Sequence, residues 1–237
     1  MSFEFEIKTV LNNLITIKTE NEKVIEHFKN PKNYTEIILE QINTENLYQK
    51  WLTDKKNVNI LDFGGNVGLF ALHVTDIAKK IVTVEPTPEH ITILKELTKD
   101  YKNIKIVESA LNDKDEMVPF FIDPWNSTTN SLRRENSHYL YSSLISGKTL
   151  KTILDENNLD EVEFAKIDIE GSEYKALTKD TINATEKRIK SWFVEAHNSI
   201  NLPSKEGIKY LANIFKECGY SDIEIFGVNL DQMIVRV

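Results

Sequence analysis

The sequence predicts a doubly wound α/β protein. Its expected core is a mostly parallel seven-stranded sheet ending in an antiparallel hairpin and preceded by an N-terminal helical segment. Three observations predict this. From residue 58 onward, short apolar strand-like runs alternate with runs whose apolar residues recur at helical spacing, the pattern of a parallel sheet covered on both faces. The last two strand-like runs are joined by a tight "GVN" turn, so they should pair antiparallel. Residues 1–56 contain no glycine and carry apolar residues at helical spacing.

In that first segment, Val24, Ile25 and Phe28 form one helical set and Ile37, Ile38, Leu39 and Ile42 another, with Asn30-Pro31 between them. Residues 1–56 are therefore expected to be a helical cap over a site or a contact for a homo-oligomer, and residues 57–237 the α/β domain. "VNILDF" reads as the first core strand, and Val67, Phe70, Ala71, Val74, Ile77 and Ala78 as the helix after it. "KIVTVE" is the next strand, and Pro88 can open the following helix. "NIKIVES" is a third strand. "MVPFFI" is a short extra one, placed at a sheet edge by Pro119, which has no N–H for a second neighbour. "FAKIDIEG" runs from a strand into a glycine and a helix, and "KSWFVEAH" is a further strand. A helix around 204–217, stopped by Gly219, leads to the closing hairpin.

Composition narrows the function classes. The 237 residues carry a net charge of −8 and no Lys/Arg cluster beyond short pairs, which argues against a nucleic-acid substrate. No apolar run is long enough to span a membrane. The beginning "MSFEFEIKTVLNNL" lacks the basic region of a signal peptide. The single cysteine, Cys218, permits no internal disulfide, and a cytoplasmic, reducing location is the expectation.

The most informative stretch is "NILDFGGNVGLF". Three of the chain's 8 glycines, Gly64, Gly65 and Gly68, fall between the first core strand and its helix. In an open α/β sheet, ligands bind outside the carboxyl ends of the strands, where strand order reverses. Glycines there let a ligand approach the backbone. Glu85 ends the next strand, 23 residues after Asp62. An acid at that distance can accept both hydroxyls of an adenosine ribose, so loop and acid together point to a nucleoside cofactor. The G-x-G-x-x-G dinucleotide fingerprint is not met, which weakens the alternative of an NAD-dependent oxidoreductase. A non-catalytic protein that keeps the cofactor fold is the other alternative.

The order Asp62, Gly64, Gly68 is similar to motif I of class I S-adenosylmethionine-dependent methyltransferases. "LDFGGNVGLFAL", "VTVEPTPEH", "ESALND", "FAKIDIEGSEYKAL" and "WFVEAH" resemble the FkbM family of methyltransferases over roughly residues 58–200. That resemblance implies S-adenosylmethionine as cofactor and O-methylation of a sugar, glycan or other small polyhydroxylated acceptor. It implies that Asp62, Gly64, Gly65, Asn66 and Gly68 line the methionine end of the cofactor, Glu85 its ribose, and Ser109 and Ala110 its adenine edge. Asp168 ends the fourth core strand and faces the same crevice.

Glu195 and His197 stand two apart at a strand end, so both face one side. His197 is the expected general base, oriented by Glu195, with Asp168 positioning cofactor or acceptor. Glu170 and Glu173 open a helix, where carboxylates also suit the helix dipole; Glu170 is the one expected at the substrate. The polar loop "NSTTNS", with Asn126, Thr128 and Asn130, is expected to meet a polyhydroxylated acceptor. No resident metal is expected, since Mg²⁺ prefers an all-oxygen donor set and a histidine fits it poorly.

Overall fold

The computed structural model describes residues 3–30, 48–123, 130–132, 140–198, 203–227 and 229–237. The chain opens with an antiparallel hairpin, β1 (Phe3–Lys8) and β2 (Leu14–Thr19), followed by helix α1 (Glu22–Lys29) and a short α2 (Gln49–Leu52). The hairpin departs from the helical expectation for the N-terminal segment. "FEFEIK" and "LITIKT" alternate apolar and polar residues with period two, which places one face of each strand inward. The helical reading holds at α1, which buries Val24 and Phe28 and is capped by Asn21, whose Oδ1 accepts the Lys23 N–H at 3.1 Å. The set Ile37, Ile38, Leu39 and Ile42 lies outside the described residues.

The core elements follow as β3 (Val58–Phe63), α3 (Leu69–His73), β4 (Ala78–Val84), α4 (Pro88–Thr98), β5 (Ile104–Val107), β6 (Ala110–Leu111), β7 (Glu116–Ile122) and β8 (Leu140–Lys148). Then come α5 (Leu150–Glu156), β9 (Val162–Ile167), α6 (Glu173–Ala176), α7 (Lys179–Asn183), β10 (Ile189–Glu195), α8 (Ser204–Glu217), β11 (Asp222–Phe226) and β12 (Gln232–Arg236). The main sheet has seven strands in the order β11-β12-β10-β9-β3-β4-β5. Strands β10, β9, β3, β4 and β5 are mutually parallel, while β12 pairs antiparallel with both β10 and β11. A second sheet orders β6-β8-β7, with Pro119 on an edge strand as expected. Helix α3 ends at His73, shorter than the apolar spacing implied, because β4 already starts at Ala78.

Strand order reverses at β3: the chain runs outward through β4 and β5, then returns to β9 on the other side. The crevice therefore lies at the carboxyl ends of β3 and β9. Side-chain alternation decides what reaches it. One face of the sheet buries Leu61, Val82, Ala165 and Val194 in one apolar cluster; the other buries Ile60, Ile81, Phe164 and Phe193 with Ile7, Val10, Val24 and Leu52 of the N-terminal elements. Along that second face each strand turns polar toward its carboxyl end. Ile60 leads to Asp62, Ile81 to Thr83 and Glu85, Phe164 to Lys166 and Asp168, and Phe193 to Glu195 and His197. One face of four neighbouring strands thus assembles the polar groups of the site.

Candidate active site

The glycine loop is built around close backbone approach. Gly64 sits at φ +82°, and a Cβ there would stand 1.7 Å from the carbonyl oxygen of Asp168 at the end of β9. A Cβ on Gly65 would meet Thr83 Oγ1 at 2.0 Å, and one on Gly68 would meet Leu94 Cδ1 at 2.4 Å. The three glycines let the loop, β4, β9 and α4 pack together at the mouth of the crevice.

Glu85 closes the loop from the neighbouring strand. It is buried, its Oε2 accepts the Asn66 N–H at 2.8 Å, and its Oε1 accepts the Thr87 N–H at 2.9 Å. His90 Nδ1 lies 3.5 Å from Oε1. Burial pushes the Glu85 carboxyl up, but hydrogen bonds and charge from His90 and Thr87 outweigh it and hold it below its ordinary range.

A cavity of about 230 Å³ runs from this loop to the ends of β9 and β10. Gly64, Gly65, Asn66, Glu85, Ser109 and Ala110 line one part of it, and Asn130, Asp168, Glu170, Glu195 and His197 another. Asp62 and Gly68 are behind the wall. Asp62 is fully buried, accepts the Thr83 hydroxyl at 2.8 Å and lies 3.8 Å from Lys166 Nζ; burial pushes its carboxyl up. Its place differs from the expected one at the cofactor because its side chain belongs to the row beneath the cavity floor. Asn130 Oδ1 accepts the Asp123 N–H at 2.9 Å, while Asn126 and Thr128 lie outside the described residues.

The far end is dense in charge. Lys166, nearly buried, pairs with Asp168 Oδ2 at 3.0 Å. Burial pushes the Asp168 carboxyl up, yet Lys166 and His197 outweigh it and hold it below its ordinary range. Burial also works against the Lys166 ammonium, but Asp168, Tyr48 and Asp62 keep it charged. Burial pushes Glu170 up to about 8 and Glu195 up to about 7, helped in both by neighbouring carboxylates.

His197 stands among these acids. Its Nε2 lies 3.6 Å from Asp168 Oδ1 and 3.5 Å from Glu170 Oε2, and its Nδ1 lies 3.0 Å from Glu173 Oε1. Burial opposes its charge, but Glu170, Glu173 and Asp168 hold it well above the ordinary imidazole range. Glu173 is the carboxylate on Nδ1, at 3.0 Å, whereas the sequence pointed to Glu195 as the orienting acid. Both Glu195 and His197 line the cavity, but the carboxylate on Nδ1 comes from α6. The atoms of Asp168, Glu170 and His197 lie within 4.8 Å of one another, close enough for a divalent cation to bridge them.

Sequence reasoning passed over Lys166, Tyr48 and His90, and gave Glu173 only a helix-dipole role. Lys166 left a signal, a lysine inside the otherwise apolar run "FAKI" and two residues before Asp168. Tyr48 left none, since it reaches the cavity from the N-terminal segment by tertiary packing against Phe70 and Phe193.

The methyltransferase FkbM domain matches residues 62–221. Among solved structures, the methyltransferase FkbM from Methylobacillus flagellatus KT is similar, with a TM-score of 0.52 and 16% identity, covering 79% of this chain. The chain spans 46% of the length of that structure. A precorrin-6y C5,15-methyltransferase from Geobacter metallireducens GS-15 aligns with 11% identity and a TM-score of 0.48, over 81% of this chain and 86% of that one. A SAM-dependent methyltransferase from Aquifex aeolicus aligns with 12% identity and a TM-score of 0.48, over 92% of this chain and 97% of that one. No curated protein sequence matches the chain at a significant level. With its domain match extending over more than half of the sequence, the chain belongs to the FkbM methyltransferase family.

Proposed function

We propose that the protein is an S-adenosylmethionine-dependent O-methyltransferase acting on a hydroxyl of a sugar, glycan or other small polyhydroxylated acceptor. One observation carries this reading: a single cavity joins the glycine loop and Glu85 to a cluster of Asp168, Glu170, Glu195 and His197. The first part fits a nucleoside cofactor. Glu85 Oε2 accepts the Asn66 N–H and has a second lone pair for a ribose hydroxyl, while Oε1 is held by the Thr87 N–H with His90 beside it. Among the described residues Ser109 Oγ is buried without a hydrogen-bond partner, at the edge where the adenine would lie. When bound, the cofactor supplies a methyl carbon made electrophilic by its sulfonium.

The protein's part is to align the acceptor and to take its proton. An aligned pair removes much of the entropic barrier to in-line displacement, and a placed base contributes roughly 10²–10⁴-fold. His197 Nε2 is the proton acceptor in this reading. An acceptor hydroxyl bound beside His197 would pass its O–H proton to Nε2, while the glycine loop and Glu85 would hold the cofactor that supplies the methyl group. Because the surrounding carboxylates hold the imidazole protonated, turnover should rise with pH through a range above 6.5. Asp168, fixed by Lys166, and Glu170 flank the same nitrogen and are placed to accept hydrogen bonds from further acceptor hydroxyls.

The test is an acceptor screen of sugars, nucleotide sugars and glycan extracts with methyl-labelled S-adenosylmethionine, beside thermal shift with S-adenosylhomocysteine and with NAD. The reading requires label on oxygen and stabilisation by S-adenosylhomocysteine. Stabilisation by NAD alone would restore the oxidoreductase alternative, and tight cofactor binding with no labelled acceptor would favour the non-catalytic one.

A further inference from the structure

We propose that Glu173 is the positioning residue for His197, fixing the ring so that Nδ1 carries the proton and Nε2 faces the acceptor. This rests on the O-methyl-transfer reading and deepens it. Glu173 was expected to serve the helix dipole. Helix α6 has four residues, too few to need a buried acid for that purpose. Yet Glu173 is fully buried, and a buried carboxylate is retained only where it is paired. Its Oε1 accepts the Ile169 N–H at 3.0 Å and meets His197 Nδ1 at 3.0 Å.

The next residue holds the same target. The Tyr174 hydroxyl donates to the His197 carbonyl oxygen at 2.6 Å. His197 lies two residues beyond the end of β10, where sheet hydrogen bonds no longer fix it. The start of α6 therefore grips both ring and backbone of a residue that the sheet has released. A carboxylate on Nδ1 selects the neutral tautomer with its lone pair on Nε2. That nitrogen is the one beside Asp168 and Glu170, in the cavity.

The charged groups facing the ring come from three places. Glu173 lies on α6, Asp168 and Glu170 follow β9, with Lys166 behind Asp168, and Glu195 lies on β10. Removing the Glu173 charge leaves the others in place. It should therefore shift the titration of His197 without abolishing it.

The experiment combines ring ¹⁵N NMR of the cofactor-free protein with kinetics. His197 is assigned by loss of its signal in His197→Asn. In wild type the neutral ring should carry its proton on Nδ1. In Glu173→Gln, which keeps the shape and one acceptor oxygen, the ring pKa should fall by roughly one unit. With an acceptor in hand, the rising limb of the pH–rate profile should move down by the same amount. Glu173→Ala should lower kcat about 10- to 100-fold with KM for the cofactor within about twofold. An Nε2–H tautomer in wild type, or an unchanged ring titration in folded Glu173→Gln, overturns the proposal while leaving the methyl-transfer reading standing. Wild-type turnover by His197→Asn would remove His197 from the reaction, and with it this role for Glu173, whatever the NMR shows.

Discussion

Replacing Glu85 separates two roles that one carboxylate performs. It receives the N–H groups of Asn66 and Thr87 at 2.8 and 2.9 Å. Glu85→Ala leaves both N–H groups without acceptors at a buried place, and each such orphan costs about 1–3 kcal/mol. The protein should then lose about 2–6 kcal/mol of stability. Glu85→Gln keeps one acceptor oxygen and should lose about half of that. Both should also lose the charge-assisted bonds to the ribose, which contribute about 1.5–3 kcal/mol each. S-adenosylhomocysteine affinity should fall about ten- to a hundredfold in Glu85→Gln, measured by calorimetry on protein shown to be folded. The stability loss is read by urea denaturation. An affinity within about twofold of wild type would mean the ribose is held elsewhere. Stability unchanged in Glu85→Ala would mean the loop does not depend on its two hydrogen bonds. Gly64→Val is no clean probe of cofactor binding, because its Cβ would collide with the Asp168 carbonyl and disturb the fold first.

Three further outcomes follow from buried charge. Lys166→Met leaves Asp168 without its 3.0 Å partner and Asp62 beside no cation, so it should destabilise by about 3–5 kcal/mol in urea; a loss under about 1 kcal/mol would contradict the pairing. Burial, then the charge of His90, pushes His27 down to about 4. The unfolded chain therefore binds that proton first, and stability present above pH 6.5 should be lost as pH falls toward 4. His27→Gln should flatten that slope in thermal scans between those pH values, and an unchanged slope would exclude His27 as its source. Turnover on the identified acceptor should survive a chelator, since a cation on His197 Nε2 would occupy the lone pair assigned to the proton; loss on chelation and recovery with Mn²⁺ would reassign Asp168, Glu170 and His197 as ligands.

The parts of the fold visible in the sequence are those set by local pattern. The strands β3, β4, β9 and β10, the closing hairpin and α8 follow from apolar runs, alternation and turn residues. The first hairpin carried its signal in the period-two alternation of "FEFEIK" and "LITIKT", which the helical reading of the glycine-free N-terminal segment overlooked. Strand β8 was hidden by its polar content, "LYSSLISGK", which makes sense only against β6 and β7. Within the site, alternation already placed Glu195 and His197 on one side. It could not show that α6 would bring Glu173 to Nδ1, because that contact joins residues 24 apart across two elements. The family resemblance, not alternation, put Asp62 at the cofactor. The residue stands beside the glycine loop in sequence, but its side chain points to Thr83 and Lys166 beneath the cavity.

The central claim is methyl transfer to oxygen in this cavity. Its most direct measurement is mass spectrometry of a panel of hydroxylated acceptors incubated with trideuteromethyl S-adenosylmethionine and the protein. The account predicts a labelled methyl ether with wild type, and its loss by two to four orders of magnitude in rate with folded His197→Asn, which still binds S-adenosylhomocysteine. Label on nitrogen or carbon, or label formed by His197→Asn at more than about a tenth of the wild-type rate, would contradict it.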